Sequence, residues 1–204
     1  HYAELQDIYR QQFIGLLAKQ PMGPGVLAAD VRLLKSDDSG SSRAGTIDNR
    51  AFGTLLSYSL GGHKFGAGWQ TLNGKTSMPY MDGTNPYLVN YVQVNDFANA
   101  QERSWQLRYD YDFKAMGIDG LSFMTRYVNG DNIKVVGRNE EGKEWERDSE
   151  LKYVVQSGLF KDVSVRFRNA TYRTNYSKFA RDVDETRLIV GYNPVSYTHL
   201  RAHE

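Results

Sequence analysis

The stretch at residues 147–173 constrains the fold most strongly, because its residues alternate between apolar and polar along two segments joined by a turn at 158–161. The second segment reads VSVRFRNATYR from residue 163. Successive side chains of a β-strand point to opposite faces, so Arg166 and Arg168 share one face. Arginines in the middle of a strand need water or charged partners. The stretch therefore predicts a hairpin with one apolar face and one wet face.

The same alternation recurs along the chain and predicts an all-β, antiparallel, up-and-down fold of about nine strands. Seven further segments carry it: 9–18, 26–34, 51–60, 65–71, 104–113, 121–128 and 185–192. The connections are alternately short, as in PMGPG and GGH, and long and polar, as in KSDDSGSSRAGTID. In a meander every second connection lies at the same end of the sheet, so short turns and long loops should be sorted to opposite ends.

Two architectures share this period of two. In a soluble barrel or sandwich the apolar face is the core, whereas in an outer-membrane barrel it contacts lipid and the charged face lines a wet lumen. Sorted connections favour the transmembrane β-barrel, which has short turns at one end and long loops at the other. Aromatic residues near strand ends fit the interfacial girdles of such a barrel: Tyr9, Trp69, Trp105, Tyr127, Tyr172 and Tyr192.

Composition narrows the function classes. The 204 residues carry a formal net charge of +1, which favours no nucleic-acid partner. There is no cysteine, and hence neither a disulfide nor a thiolate metal site. No histidine belongs to a metal or catalytic constellation, and the GAG pair lies inside a predicted strand rather than in a phosphate-binding loop. The sequence thus predicts no enzyme, no metal site and no cofactor.

Five stretches carry a family resemblance: SYSLGGHKFGAGWQ, SWQLRYDYDF, GLSFMTRYVNGDNI, ELKYVVQSG and ETRLIVGY. Together they resemble the OprD family of outer-membrane specific porins, over about residues 9–192. The resemblance implies an integral protein of the bacterial outer membrane that gives passive diffusion of small carboxylate-bearing solutes, such as amino acids. The implied partners are these solutes, the lipid bilayer and the outer-membrane assembly machinery.

Family members are single-chain barrels of about 18 strands, so the resemblance implies that residues 1–194 are the C-terminal half of such a barrel. The last residues read YTHLRAHE, which resembles translated sequencing-adapter read-through, and we interpret 195–204 as an artefactual tail. Half a barrel has two open edges. We therefore expect an open sheet with unpaired outer edges, rather than a small barrel closed by pairing 9–18 with 185–192.

The resemblance also implies a ladder of basic residues in the lumen that guides carboxylate solutes. The matching positions are Lys152, Arg166, Arg168 and Arg187. The alternation places the same four residues on the wet face, together with three further lumen candidates: Arg32, Arg108 and Arg126. The alternative for each is a wall residue that is neutralised by a nearby carboxylate.

The segment at 72–103 has no clear period, and a loop of this length in a compact domain is usually functional. By resemblance it corresponds to a loop that folds inward and helps to form the constriction of the pore. Asp82 and Asp96 are its candidate contacts for the ammonium group of a solute. The alternative for both is a solvated loop carboxylate.

Two other functions stay open from the residues alone. A soluble all-β binding module with a charged outer face would pack five residues into a closed core: Leu107, Tyr109, Phe123, Val165 and Leu188. A general diffusion porin would keep the barrel but would pass carboxylate and neutral solutes at equal rates.

Overall fold

The computed structural model describes residues 1–81, 84–176 and 182–192 of the chain, so the predicted tail at 195–204 lies outside the described residues. The described strands form one sheet in sequence order, and each pair of neighbours is antiparallel. They are β1 (Tyr2–Leu5), β2 (Tyr9–Met22), β3 (Gly25–Asp38), β4 (Asp48–Leu60), β5 (His63–Gly74), β6 (Arg103–Asp112), β7 (Leu121–Ile133), β8 (Gly142–Val154), β9 (Val163–Thr174) and β10 (Asp182–Tyr192). Among these residues no helix is long and apolar enough to cross a bilayer. The predicted all-β meander is confirmed.

The described part of the chain has ten strands, one more than the sequence predicted. The missed strand is β1, which pairs four residues with the start of β2 and is too short for alternation to stand out. Other strands continue further than predicted, as β7 does to Ile133 rather than Val128. Both faces of these extensions carry polar residues, so the alternation ends although the backbone pairing continues.

The connections alternate between two ends of the sheet. The turn end carries those at 23–24, 61–62, 113–120 and 155–162. The loop end carries those at 6–8, 39–47, 75–102, 134–141 and 175–181. Because the strands extend at the loop end, most of its loops are shorter than predicted. The contrast in length between the two ends therefore comes mainly from the single long loop at 75–102.

The sheet is open within the described residues, because no strand there pairs with the outer side of β1 or of β10. This confirms the expected open edges. The five residues proposed for a soluble core do not form one: Leu107, Val165 and Leu188 are 57%, 39% and 71% exposed, and Tyr109 and Phe123 are half-buried. The soluble binding module is therefore wrong.

Most of the apolar strand residues share one face, here called the outer face, and form a slanted band across it. In β2 the centre of the band is Leu16, flanked by Ile14 and Ala18, and in β10 it is Val190. When the cross-strand partners of Leu16 are followed from strand to strand, the row reaches Asp182 in β10, which is eight residues before Val190. Because β10 is eight strands beyond β2, the band shifts along the strands by one residue per strand. With a rise of about 3.3 Å and a strand spacing of about 4.8 Å, the strands tilt by about 35°, as membrane barrel strands do.

Aromatic side chains of the outer face gather in two groups. Towards the turn end, the rings of His63 and Tyr111 have centroids 4.7 Å apart. Towards the loop end, Tyr127 lies between Trp105 and Trp145, with centroid distances of 5.5 and 5.7 Å. Two girdles on the apolar face mark the two interfaces of a membrane barrel with water.

Two of the six aromatic residues predicted for the girdles lie on the opposite face. Tyr172 is buried, and its hydroxyl donates to Glu144 at 2.7 Å. Tyr9 shares its face with Gln11, whose side-chain amide donates to Ser36 at 3.0 Å. Tyr9 lies where the residues of both parities are polar, so the alternation could not assign its direction. The parity of Tyr172 is that of Arg166 and Arg168 and already indicated the polar face.

Candidate solute-binding face

The long loop at 75–102 folds over the loop-end half of the opposite face, here called the polar face. Three cross-strand neighbours on this face supply apolar side chains from β3, β4 and β5. The loop covers them with three apolar side chains of its own. The resulting buried cluster consists of Leu34, Ala51, Leu72, Met78, Leu88 and Ala98. The inward course expected for this loop is confirmed.

Side-chain amides of the strands hold the backbone of the loop. Gln70 donates to the Phe97 carbonyl at 2.8 Å and accepts from the Asn90 N–H at 3.1 Å. Gln106 donates to the Val89 carbonyl at 3.1 Å. Both glutamines are almost fully buried, so losing a partner would leave a buried polar group unsatisfied. These bonds fix the path of the loop across the sheet.

Glu146 of β8 binds the tip of the loop. Its side chain has no exposed surface. One carboxylate oxygen accepts from the backbone N–H groups of Gln93 (3.1 Å) and Val94 (2.8 Å), and the other accepts from that of Asn95 (2.8 Å). A carboxylate that accepts several backbone N–H groups is a strong, charge-assisted anchor. One strand residue thus binds three successive backbone N–H groups of the tip.

Glu144 lies two residues earlier on the same strand face and is also buried. It accepts from the side-chain amide of Asn95 at 2.6 Å and from the hydroxyls of Tyr172 at 2.7 Å and Tyr176 at 2.5 Å. The carboxylate therefore joins the loop, β9 and the start of the next connection. Neutral donors, rather than cations, satisfy it.

Glu102 ends the loop and is completely buried. One of its oxygens accepts from the Asn99 N–H at 2.9 Å and the Asn99 amide at 3.0 Å, while the other has no hydrogen-bond partner within the described residues. Burial, and then the negative charge of Glu144, raise the pKa of Glu102 well above its ordinary value. The group is poised to hold a proton where an exposed glutamate would not.

Sequence reasoning missed these three glutamates, although a signal was present for two of them, Glu144 and Glu146. The run GKEWERD places acids at every second position from Glu144 to Asp148, all on one strand face. Among the residues that the structure describes, only Asp148 has a cation beside it, which is Arg126. Acids stacked on one face without enough cations require donors from elsewhere, and here the inward loop supplies them.

The basic candidates lie on the polar face in three successive pairing rows, below the loop and towards the turn end. Arg108 and Arg126 are opposite each other in β6 and β7. Two residues further along, Arg168 and Arg187 are opposite each other in β9 and β10. Lys152 and Arg166 form the next row, in β8 and β9. The four residues of the predicted ladder therefore share one face with the lumen candidates Arg108 and Arg126, and successive rows are roughly 7 Å apart along the strands.

Most of these cations are paired with carboxylates. The pairs are Arg108–Asp110 at 2.7 Å, Arg126–Asp148 at 2.7 Å, Arg168–Glu150, and Arg187–Glu185 at 2.6 Å. Within the described residues, Lys152 and Arg166 form no ion pair. The positive charge of the ladder is therefore largely balanced near the loop and unbalanced in the row nearest the turn end.

A cavity of about 490 Å³ lies between the tip of the loop and these rows. Its ionisable lining residues are Arg108, Asp110, Asp112, Arg126, Glu150, Lys152 and Arg168. The tip contributes Gln93, whose amide donates to Glu185 at 2.6 Å. A cavity of this size with a few charged groups suits a small polar solute.

The remaining candidates have other surroundings. Arg32 pairs with Asp30 at 2.6 Å and donates to the Tyr87 carbonyl at 3.1 Å, so it holds the loop instead of facing open lumen. Asp96 is half-buried and accepts a hydrogen bond from the Tyr80 hydroxyl. Its pKa is raised by burial and by the charge of Glu144. Asp82 lies outside the described residues.

The sequence of the chain is similar to the sequences of known outer-membrane porins. A sequence profile described as outer membrane porin, OprD family, matches residues 1–195. The chain is 36% identical to Porin D of Pseudomonas aeruginosa, over 93% of its own length and 48% of that protein. It is 38% identical to the porin-like protein GalP of Pseudomonas putida, over 94% of its length and 45% of that protein.

The fold is similar to that of OccK10 (OpdN) from Pseudomonas aeruginosa, seen in a crystal structure. The TM-score is 0.90 with 61% sequence identity, over 93% of this chain and 53% of that one. The chain thus spans about half the length of the relatives it matches. In such barrels the apolar outer face contacts lipid and the polar face lines the lumen.

Proposed function

Because the chain belongs to the OprD family of outer-membrane porins, we propose that its polar face forms part of the wall of a channel for passive diffusion of small solutes. The outer face supports this assignment, since its slanted apolar band and two aromatic groups fit a lipid-facing surface. The loop at 75–102 lies against the lumen side of this wall. In a complete barrel it would narrow the channel at the level of Glu146.

We further propose that the solutes bear a carboxylate group, as small amino acids do. The observation that carries this proposal is the stack of three basic rows directly below the loop. A guanidinium group offers several donors in a planar fork that matches a carboxylate, and it stays charged at any working pH. A carboxylate leaving the constriction would meet one basic row after another at intervals of roughly 7 Å.

The ion pairs fit conduction better than tight binding. Arg168 already has Glu150 as a partner, so an incoming carboxylate shares a cation with a fixed carboxylate instead of binding to a bare charge. Conduction requires several sites that are each weak enough for the solute to leave. The pair Lys152 and Arg166, which lacks such partners in the described part of the chain, would then be the most attractive step for an anion.

Within the same proposal, the loop carboxylates assigned to an ammonium group are Asp96 and Asp82. Asp96 is the one that the structure describes, and it is partly engaged by Tyr80. Its contribution to an amino-acid solute should therefore be smaller than that of the basic rows.

The test is solute uptake into liposomes through a complete barrel that contains this chain. The double variant Lys152→Gln/Arg166→Gln should lower the flux of a small monocarboxylate roughly fivefold, while a neutral solute of similar size changes little. Arg168→Ala and Arg187→Ala should each have a smaller effect of the same kind. Lys19→Gln, on the polar face at the turn end of β2, is the matched control.

Two outcomes would count against the proposal. If every basic variant slows both solutes by the same factor, these residues only hold the wall in shape. If the unsubstituted barrel passes both solutes at equal rates, the protein is a general diffusion porin. In either case the channel function stands and the carboxylate preference fails.

A further inference from the structure

We propose that the outer face carries a binding site for the phosphate group of an outer-leaflet lipid, at the loop-end margin of β2 to β5. The site consists of two adjacent pairing rows. The row nearer the lipid band is apolar in its first three strands: Ile14, Leu33 and Phe52. The next row towards the loop end contains only side chains with hydrogen-bond donors: Gln12, Lys35, Arg50 and Asn73.

A cavity of about 280 Å³ lies over these two rows and is lined by all seven of these residues. The three apolar side chains are 69%, 48% and 37% exposed, in strand order. The four donors above them are exposed as well. The floor of the cavity is thus open to the hydrocarbon region, and its rim presents donors at the membrane boundary.

Arg50 is the centre of the proposed site. It forms no ion pair within the described residues, although Asp48 lies two positions away on the same face. Its cross-strand neighbour Lys35 pairs with Asp37 at 2.8 Å, which reduces the charge that Lys35 offers. A guanidinium with an ammonium group on one neighbouring strand and an amide donor on the other is suited to bidentate binding of a phosphate oxyanion.

The position of the cavity selects a lipid as the occupant. The loop end carries the long loop, and in outer-membrane barrels the long loops are extracellular, so this margin faces the outer leaflet. The apolar row continues the lipid-facing band without a gap, while the acids Asp37 and Asp48 lie one row further out. An amphiphile with its chains on Leu33 and Phe52 would bring its phosphate to the level of Arg50.

The experiment measures lipid retention by native mass spectrometry of a complete barrel that contains this chain, mixed with lipid A that carries both phosphates. Arg50→Gln should lower the retained fraction roughly tenfold, because it removes charge-assisted hydrogen bonds. Lys35→Gln should cause a smaller loss, and Arg50→Lys should keep part of the binding. Arg103→Gln is the matched control, since Arg103 is an exposed arginine at the loop-end start of β6.

Three results would overturn the proposal. Retention by Arg50→Gln equal to that of the unsubstituted protein would show that Arg50 does not bind the lipid. An equal loss in Arg103→Gln would show general attraction by surface charge rather than a local site. Equal retention of dephosphorylated lipid A would show that the contact is only apolar.

Discussion

In the loop-end half of the polar face, backbone N–H groups, amides and hydroxyls donate to the carboxylates, whereas in the turn-end half arginines pair with them. Glu146 accepts from three N–H groups of the loop, while Glu150 is paired with Arg168. The first half is dry because the loop covers it, and the second is wet. Acidic residues at alternate positions of one strand, β8, thus anchor the loop at one end and form part of a charged wall at the other.

This difference shows that the acids on the polar face are not a uniform set of counter-charges. Under the loop, a carboxylate without cationic partners costs free energy unless every donor is in place, so that region tolerates little change. Along the wall, water can replace a lost partner, and single substitutions should alter selectivity more than stability.

The largest effect is expected from Glu146→Ala, which leaves three half-buried N–H groups without an acceptor. The cost to loop anchoring should be on the order of 3 kcal/mol or more. The loop should then leave the lumen for much of the time, which single-channel recording would show as a higher conductance. Glu140→Ala, an exposed acid in the connection at 134–141, is the matched control. If the conductance of Glu146→Ala equals that of the unsubstituted protein, the loop stays packed on the polar face without Glu146, which would contradict the anchoring role.

A smaller, pH-dependent effect is expected from Glu102, which lies outside the strands. Because the pKa of this carboxyl is raised on folding, the folded loop binds a proton more tightly than the released loop does. The free energy that holds the loop on the polar face should therefore fall as the pH rises from 4.5, the ordinary pKa of a glutamate, through the raised pKa of Glu102. Limited proteolysis within 75–102 at several pH values would measure this.

The variant Glu102→Gln tests the same point, because it mimics the protonated form. It should remove most of the pH dependence and protect the loop against protease at neutral pH. Glu141→Gln, an exposed position, should leave the pH profile unaltered. Equal pH profiles for Glu102→Gln and the unsubstituted protein would show that Glu102 is not the titrating group.

The smallest effect is expected from Asp96→Asn. Burial and Glu144 raise the pKa of Asp96, and Tyr80 occupies part of its hydrogen-bonding capacity. Uptake of an amino acid should fall about twofold at neutral pH and less in acid, where Asp96 is already more protonated. Uptake of a monocarboxylate without an ammonium group should not change; an equal fall for both solutes would remove Asp96 from the proposal.

The sequence predicted the wall better than the loop, and the reason is physical. Strand facing follows from a local period of two, so the shared face of Arg166, Arg168 and Lys152 could be read directly from the alternation. The anchoring of the loop depends on residues far apart in the chain, such as Gln70 with Phe97 and Glu146 with residues 93–95. No local pattern encodes such pairs.

The strand ends were also beyond the sequence pattern. Where side chains on both faces are polar, as at Tyr9 and Glu144, facing is set by pairing with the neighbouring strand rather than by hydropathy. The ion pairs of Arg108, Arg126, Arg168 and Arg187 were foreseen only as an alternative to a free ladder. The structure shows these ion pairs. The preference for carboxylate solutes is a proposal that rests on the three rows of basic residues.

The central claim is that the row nearest the turn end, Lys152 and Arg166, attracts carboxylates within the channel. The most direct measurement is the reversal potential of a single complete barrel in a gradient of sodium acetate, before and after the double charge reversal Lys152→Glu/Arg166→Glu. Acetate should permeate relatively better than sodium in the unsubstituted channel, and the charge reversal should invert this order. An unchanged reversal potential in the double variant would contradict this claim.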